Sequence, residues 1–491
     1  MISFERVPID IRVPGSYIEI EPSGVLRGLP GIPVKNLIIG QKLSGGTFAA
    51  DVPILVSRVE DVEAGAGRGS MLHRMFRTFR LNNRTQETWV LPLDDDGDGN
   101  AAAGDVTFGG TVSGAGTVEA YIAGVRVRTG VASSDTLAGI ATKFAAAVNA
   151  KTDLPVTAAV NGEDDTVVDV TARHAGVNGN AIDIRVNYLP GEALPPGLTV
   201  TITAMSGGTA NPAIADGLAA IGDTWFTDIA MPYSDAASLN ALEDVLYDRF
   251  GPLTMQDGYA YGAMMDTYSN LATFGNGRNS QFSSIMGNYK SPTPIEEWAG
   301  GLAGVIAFYS KNDPARPLQN LSVRGVLPPH PNDLFTKFPE RDNLLRDGIS
   351  TFKSTLDGDV LLERIITTYQ RNVNEIEDTT FLDLETLKTA TYLRYSMNAR
   401  IQLKFPRHKL ADDGTRFGEG QAIVTPSVVR NELIALARDW EEAGLVEGID
   451  QYVEDLIVER DQSDPNRVNA LVVPNLVNQF RVFAGRITPI V

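Results

Sequence analysis

The sequence predicts a multidomain protein of mixed α/β and α+β class. It is read as a discontinuous βα-alternating core domain, interrupted by an inserted β-rich module and flanked by extended terminal arms. Three observations carry this. Strand-length apolar runs alternate with helical periodicities over residues 34–93 and again over 206–330. The stretch between them, 94–205, has a different composition, and both chain ends carry short extended patterns. At 491 residues the chain is also several times the ~150 residues of a typical domain.

The first segment, 1–33, reads as an N-terminal arm and linker. Val7, Ile9, Ile11 and Val13 alternate with Pro8, Asp10, Arg12 and Pro14, the period of a strand with one apolar face. Two prolines cannot donate ladder hydrogen bonds, so such a strand belongs at an edge or pairs outside its own domain. The glycines and prolines from Gly15 to Pro33 then favour an extended linker.

The first part of the core, 34–93, follows. Val34–Ile39 and Val52–Val56 are strand candidates, Met71, Leu72, Met75, Phe76 and Phe79 fall at helical spacing, and Thr88–Leu93 is a further strand. This order predicts a βαβ unit and a parallel sheet.

At Leu93 the acidic run DDDGDGNAAAG opens the 94–205 module, rich in Gly, Ala, Thr and Val, with 14 acidic against 6 basic residues and none of the four tryptophans. Strands are expected at 105–112, 117–128, 156–160, 166–172, 181–187 and 198–204. One helix is expected at 134–150, capped by Ser134, with Leu137, Ile140, Phe144 and Val148 on one stripe. The pattern reads as an independent small α+β module inserted between two halves of another domain.

Alternation resumes in 206–330, the second part of the core, with helices at 212–221, 235–248, 264–274 and 294–310 separated by strands at 224–231, 257–262 and 282–287. The C-terminal domain, 331–477, should hold a hairpin around Asp357-Gly358, helices at 380–403 and 426–444, and strands at 449–460 and 468–473. The strand-like tail 478–491 forms the C-terminal arm.

Composition narrows the function classes. Asp and Glu (61) outweigh Lys and Arg (42), giving a formal charge of −19, which argues against a phosphate-tracking nucleic-acid binder. The absence of cysteine removes disulfides, thiolate metal sites and thiol catalysis, and four histidines make a poor basis for a structural zinc site. The N-terminal MISFERVPIDIRVPG lacks the apolar stretch of a signal peptide, and no run of ~18 apolar residues predicts membrane insertion. A soluble product made in a cytoplasm is expected.

Several motifs resemble chemistry. Asp94, Asp96, Asp98, Gly99 and Asp105 approach a calcium loop, but a strand precedes them where the loop needs a helix; a solvated acidic linker is the expected reading. Gly65, Gly67 and Gly69 with Arg68 and Ser70 read as a glycine-rich helix entry, since the phosphate-loop lysine is missing. Arg74, Arg77 and Arg80 read as the solvated face of their helix, with an acidic partner surface as the alternative. Glu296 and Glu297 suit the first turn of a helix through its dipole. His73, His174, His330 and His408 lie in four different settings, none beside a nucleophile elbow, so no catalytic residue, cofactor or metal ligand is assigned. In the polar, glycine-rich stretch 404–426, Lys404, Arg407, His408 and Lys409 face Asp412 and Asp413 in sequence and are candidates for an inter-subunit loop.

Taken together, these segments resemble the tail sheath proteins of Mu-like contractile bacteriophages. The matching stretches are IPVKNLIIGQ (32–41), GRGSMLHRM (67–75), SIMGNYKSPTPIEEWA (284–299), DPARPLQ (313–319), KFPRHKLADDGTRFGEGQAIVTP (404–426) and LIVERDQSDPNRV (456–468). The resemblance implies a structural subunit rather than an enzyme. Such a subunit polymerises with itself as hexameric rings stacked helically around a tail tube, and contracts to drive that tube through the host envelope. Its implied partners are the tube protein and the baseplate and tail terminator proteins, with no nucleic acid, no membrane insertion and no cofactor. Its implied locations are the virion tail and, during assembly, the host cytoplasm. Pattern and resemblance together make Val7, Ile9, Ile11 and Val13, and Phe480, Val482 and Phe483, arms that add to a neighbour's sheet. Arg430 and Arg438 on the 426–444 helix are candidate tube contacts. The rival readings are the sheath of a phage-tail-like bacteriocin or secretion apparatus, a degenerate subtilisin-like hydrolase, and a glycan-binding role for 94–205.

Overall fold

Leu37, Ile38 and Ile39 are wholly buried in the first strand, β1 (Lys35–Gln41), as a strand covered on both faces requires. It opens a computed structural model that describes residues 29–418 and 420–489. The described chain divides into a larger unit, 33–391 with 478–489, and a smaller one, 392–477 with 29–32. The division falls beyond the expected boundary at 330/331. The cause is apolar packing: Phe352, Val360, Leu362, Ile365, Leu384 and Leu387 belong to the core of the larger unit.

In the larger unit, β1 is followed by β2 (Ile54–Val56), α1 (Val59–Ala66), α2 (Met71–Asn82) and β3 (Glu87–Leu93). β1 and β3 are parallel, joined through α2, which fits the expected βαβ order. β2 departs from it, running antiparallel to β3 at the sheet edge, and α1 is a helix that the apolar pattern did not single out.

The module between β3 and residue 206 contains β4 (Ala101–Gly110), β5 (Gly116–Ile122), β6 (Val125–Val131), α3 (Leu137–Asn149), β7 (Val156–Val160), β8 (Val167–Ala175), β9 (Ile184–Val186) and β10 (Leu198–Ser206). Its sheets have the orders β10-β4-β8-β7 and β6-β5-β9, and enclose a separate core that includes Phe108, Phe144 and Val168. The expected single strand 117–128 is instead a hairpin. Ala123 and Gly124, at φ 51° and 75°, make the two-residue turn that matches strand twist. The α3 cap is Thr136, whose hydroxyl accepts from the Gly139 N–H at 3.1 Å, rather than Ser134.

Beyond the module come α4 (Ala215–Ala220), β11 (Asp228–Ala230), α5 (Ala236–Phe250), β12 (Tyr259–Met265), α6 (Tyr268–Asn276), β13 (Ser283–Asn288) and α7 (Ile295–Asn312). Asp235 caps α5, accepting from the Ser238 N–H at 2.9 Å. The main sheet has the order β13-β12-β11-β1-β3-β2, so strands from either side of the module lie side by side. α8 (Asp342–Arg346), the hairpin β14 (Thr351–Ser354) and β15 (Val360–Arg364), and the first half of α9 (Leu384–Lys404) complete the unit. Lys388 of α9, buried, reaches the Asp228 carboxylate at 2.5 Å, and burial lowers its pKa against the pull of that partner.

The smaller unit is built on the second half of α9 and on α10 (Pro426–Glu442), between which lie β16 (Lys409–Leu410) and β17 (Ile423–Val424). Trp440 is buried and donates its indole N–H to Ser396 at 2.9 Å, pinning the two helices. β18 (Val446–Glu447), α11 (Ile449–Asp455), β19 (Ile457–Arg460), β20 (Val468–Leu471) and β21 (Asn475–Leu476) follow. Residues 449–455, expected as strand, are therefore helical. α11 opens at Gly448, whose φ of 72° lets the chain reverse.

Candidate functional site

The arginines of α2 show first how the sequence reading must be revised. Gly300 and Gly304 of α7 are spaced one turn apart, and a Cβ on them would come within 2.5 Å of Met75 O and 2.8 Å of Phe79 O. The two helices therefore touch backbone to backbone. Arg74 lies buried in that contact and donates to Glu296 at 2.6 Å and Glu297 at 2.9 Å. Burial pushes the Glu297 carboxyl above the usual glutamate range, against the pull of Arg74 and Arg77. Arg77 reaches Glu297 at 3.6 Å and Asp153 at 3.5 Å, and Arg80 donates to the carbonyls of Val56, Asn83 and Gln86. This is a structural ion cluster rather than a solvated face, and Glu296 and Glu297 are its acceptors rather than mere dipole partners. The signal in the sequence was the small-residue spacing on α7, which licenses close helix packing.

The histidines are all occupied by local roles. His73 accepts from the Gly69 N–H at 3.3 Å, and burial lowers its pKa. His174 pairs with Asp95 at 2.8 Å through Nδ1, while its Nε2 accepts from the Met71 N–H at 3.1 Å. That is an Asp–His pair whose second nitrogen is engaged by a backbone donor, where a hydrolase needs a hydroxyl. His330 accepts from the Asn332 N–H, and His408 stands edge-on to Phe405.

The acidic run does not converge either. Asp94 pairs with Lys42 at 2.6 Å, Asp96 accepts from the Asp98 N–H, and Asp105 sits in β4 opposite Asp169. Burial pushes the Asp95 carboxyl up, but hydrogen bonds from His174, Ala175 and Gln41 outweigh it and hold it below the usual range. Among the described residues no group of three His, Cys, Asp or Glu is arranged to hold a metal ion. No described helix is long and apolar enough to cross a membrane.

In the 404–413 loop the six candidate residues do not pair with one another. Lys404 reaches Glu432 at 2.8 Å, Lys409 donates to Gln421 at 3.0 Å, and Asp412 accepts from Arg460 at 2.9 Å. Asp413 accepts from the Ser427 N–H at 3.1 Å, and its hydrogen bonds from Thr425 and Ser427 hold its carboxyl below the ordinary range. Arg407 and His408 are exposed. Of the two α10 arginines, Arg430 is committed within its unit, donating to the carbonyls of Val453 and Leu456 at the end of α11. Arg438 is exposed.

The terminal arms differ in what can be described. Val7, Ile9, Ile11 and Val13 lie outside the described residues. The tail 478–489 forms no strand, contrary to its strand-like reading; Gly485 and Pro489 interrupt the pattern. Arg481 is its anchor, reaching Asp383 at 3.0 Å and the buried Glu385 at 3.1 Å. On either side Phe480, Val482 and Phe483 are 73%, 80% and 82% exposed. A second apolar feature escaped the sequence reading. β19 and β20 form a two-stranded ribbon, and Ile457 and Leu471, directly opposite in register, are both more than half exposed.

The comparisons with known proteins give the family. Residues 207–368 match the phage tail sheath protein central domain, and residues 377–489 match the phage tail sheath C-terminal domain. Over 486 residues the chain is 42% identical to the Mu-like prophage FluMu tail sheath protein of Haemophilus influenzae, covering 99% of each. The chain belongs to the phage tail sheath proteins. It is a sheath protein, and its relatives are structural tail components rather than enzymes. Among solved structures it is similar to the sheath tail protein of Desulfitobacterium hafniense, with 14% identity, 94% of this chain and 100% of that one covered, and a TM-score of 0.47. The anti-feeding prophage helical sheath in its contracted state gives 10% identity, 97% and 99% coverage, and a TM-score of 0.48. The central-domain match of this sheath protein begins just past the 94–205 module.

Proposed function

We propose that the chain is the subunit of a contractile tail sheath that polymerises as stacked hexameric rings around a tail tube and shortens to drive the tube through a host envelope during genome delivery. The segments 34–93 and 206–330 act in it as one discontinuous core, with the module facing outward. The tube protein, the baseplate and the tail terminator are its partners, in the virion tail and, before that, in the host cytoplasm.

One observation supports this beyond family membership: among the described residues the β19–β20 ribbon pairs with no further strand, and it carries an exposed apolar pair, Ile457 and Leu471. A lone two-stranded ribbon is marginal in water and gains from further strands. Main-chain pairing supplies the strength of such an addition, and alternate side chains its register. The alternating Val7, Ile9, Ile11 and Val13 of a neighbouring copy match that need, and Phe480, Val482 and Phe483 supply the other arm. The exposed Arg407, His408 and Arg438 remain for contacts between subunits and with the tube. Contraction without nucleotide hydrolysis then requires two packings of one sequence, the extended lattice being trapped above the contracted one.

Deleting residues 1–15 is expected to leave a soluble, folded body that no longer forms tubes in electron micrographs. Long, normal tubes from that truncation would overturn the arm assignment.

A further inference from the structure

Five strands of the main sheet are parallel, and the chain leaves β1 in one direction to β3 before returning past it to β11. This reversal makes the carboxyl ends of β1 and β11 the crevice in which open α/β sheets of this kind hold their ligands, beside the N-terminus of the helix that crosses over to the next parallel strand. Here Gln41 ends β1, Met71 opens α2, and Pro232 and Tyr233 follow β11.

The crevice is filled by the inserted module. Gln41 donates its amide to Ala175 O at 2.7 Å and to Asp95 at 2.8 Å. The Met71 N–H, which would face a ligand at a helix N-terminus, donates instead to His174 Nε2. Asn178 donates to Pro232 O at 2.9 Å, and the Val177 N–H donates to Asn211, whose amide in turn reaches the α5 cap Asp235 at 2.9 Å. What is left is a cavity of about 20 Å³ lined by Gln41, Arg74, His174, Asn178 and Glu296, room for about one water. Arg74, whose buried Nε is without a protein partner, is among the residues that line it.

We infer that the 94–205 module is a permanent ligand of this crevice in cis, clasped by His174, Asp95 and Asn178, and that module and sheet unfold as one cooperative unit. This replaces the expectation of an independent module. The physical reason is hydrogen-bond economy. Withdrawing the module would break the bonds of Gln41, the Met71 amide and the Pro232 carbonyl together, each at the net cost of exchanging a protein hydrogen bond for one to water.

Hydrogen exchange on the full chain tests this. His174→Ala and Asn178→Ala should each accelerate exchange roughly tenfold or more, the expected effect of losing a buried bond. The acceleration should appear by a common factor in module strands β5 and β8 and in sheet strands β1 and β11. Lys151→Ala, at an exposed position just after α3, should alter neither. Acceleration confined to the module would overturn the inference. Should His174→Ala not fold, the unmodified protein decides. The tryptophans all lie outside 94–205, so their fluorescence reports the rest of the chain, while exchange reports the module. Coincident denaturant midpoints support one unit, and separated midpoints refute it.

Discussion

Arg74 and Glu296 meet at 2.6 Å with side chains only 3% and 4% exposed, and they join two helices that are more than two hundred residues apart in sequence. A charge held so deep is tolerable only while its partner stays.

Removing that partner is therefore expected to be costly. Arg74→Met leaves Glu296 without its cation and Glu297 with only the more distant Arg77 in a buried interface, and should lower stability by ~3–5 kcal/mol. Replacing both glutamates by leucine in the same variant should recover much of the loss, because an apolar contact needs no countercharge. Denaturant midpoints of the two variants check this, and a fully stable Arg74→Met would contradict it.

The second expectation concerns the closeness of α2 and α7. Alanine favours helix over glycine by ~1 kcal/mol, yet Gly300→Ala should destabilise by ~1–3 kcal/mol. Its Cβ would stand 2.5 Å from the Met75 carbonyl, a backbone atom that cannot swing aside. Gly45, with open space around it, serves as the control, and Gly45→Ala should be neutral. Equal behaviour of the two variants would mean that the helices can part at little cost.

Asp461, at the tip of the β19–β20 ribbon, gives a pH dependence. Hydrogen bonds from Ser463 and Asn469, then from the N–H groups of Asp464 and Ser463, hold its carboxyl far below the ordinary range. The folded carboxylate thus binds its proton less tightly than the unfolded one. Its contribution is full above about pH 4 and is lost as the pH falls below that. Amide protection of 457–471, corrected for intrinsic exchange, should drop between pH 5 and pH 3 in the parent protein. Asp461→Ala should show low protection at both, and a parallel drop in the variant would exclude Asp461 as the cause.

Arg481 is expected to hold the tail at its base. Arg481→Ala should speed proteolytic clipping of residues 478–489 severalfold and weaken polymerisation, and should lower the thermal midpoint of the body, since it leaves the buried Glu385 without this cation. Unaltered clipping would show that the ion pairs with Asp383 and Glu385 contribute nothing to the tail's placement.

The alternation of apolar runs identified β1, β3, β11, β12, β13 and most intervening helices, because each buries a continuous apolar face and periodicity is a local property. What pattern could not supply was partnership. Arg74 looked like a solvated charge because its acceptors, Glu296 and Glu297, are remote in sequence. β2 looked like any short strand, since parallel and antiparallel pairing leave the same residues inside. Residues 449–455 alternate well enough for a strand, and only the left-handed turn at Gly448 and the burial of Tyr452 make them a helix. The exposed apolar surfaces were legible in part. Phe480, Val482 and Phe483 stood out as apolar in a polar context, whereas Ile457 and Leu471 became noticeable only once their register placed them face to face.

Arg481 also sets a ruler. Phe483 follows it by two residues, and an extended chain gains at most ~3.6 Å per residue, so its backbone stays within ~7 Å of the arginine's own. Whatever docks on that ring must come to the corner marked by Asp383 and Glu385 rather than wait for the tail to stretch out to it.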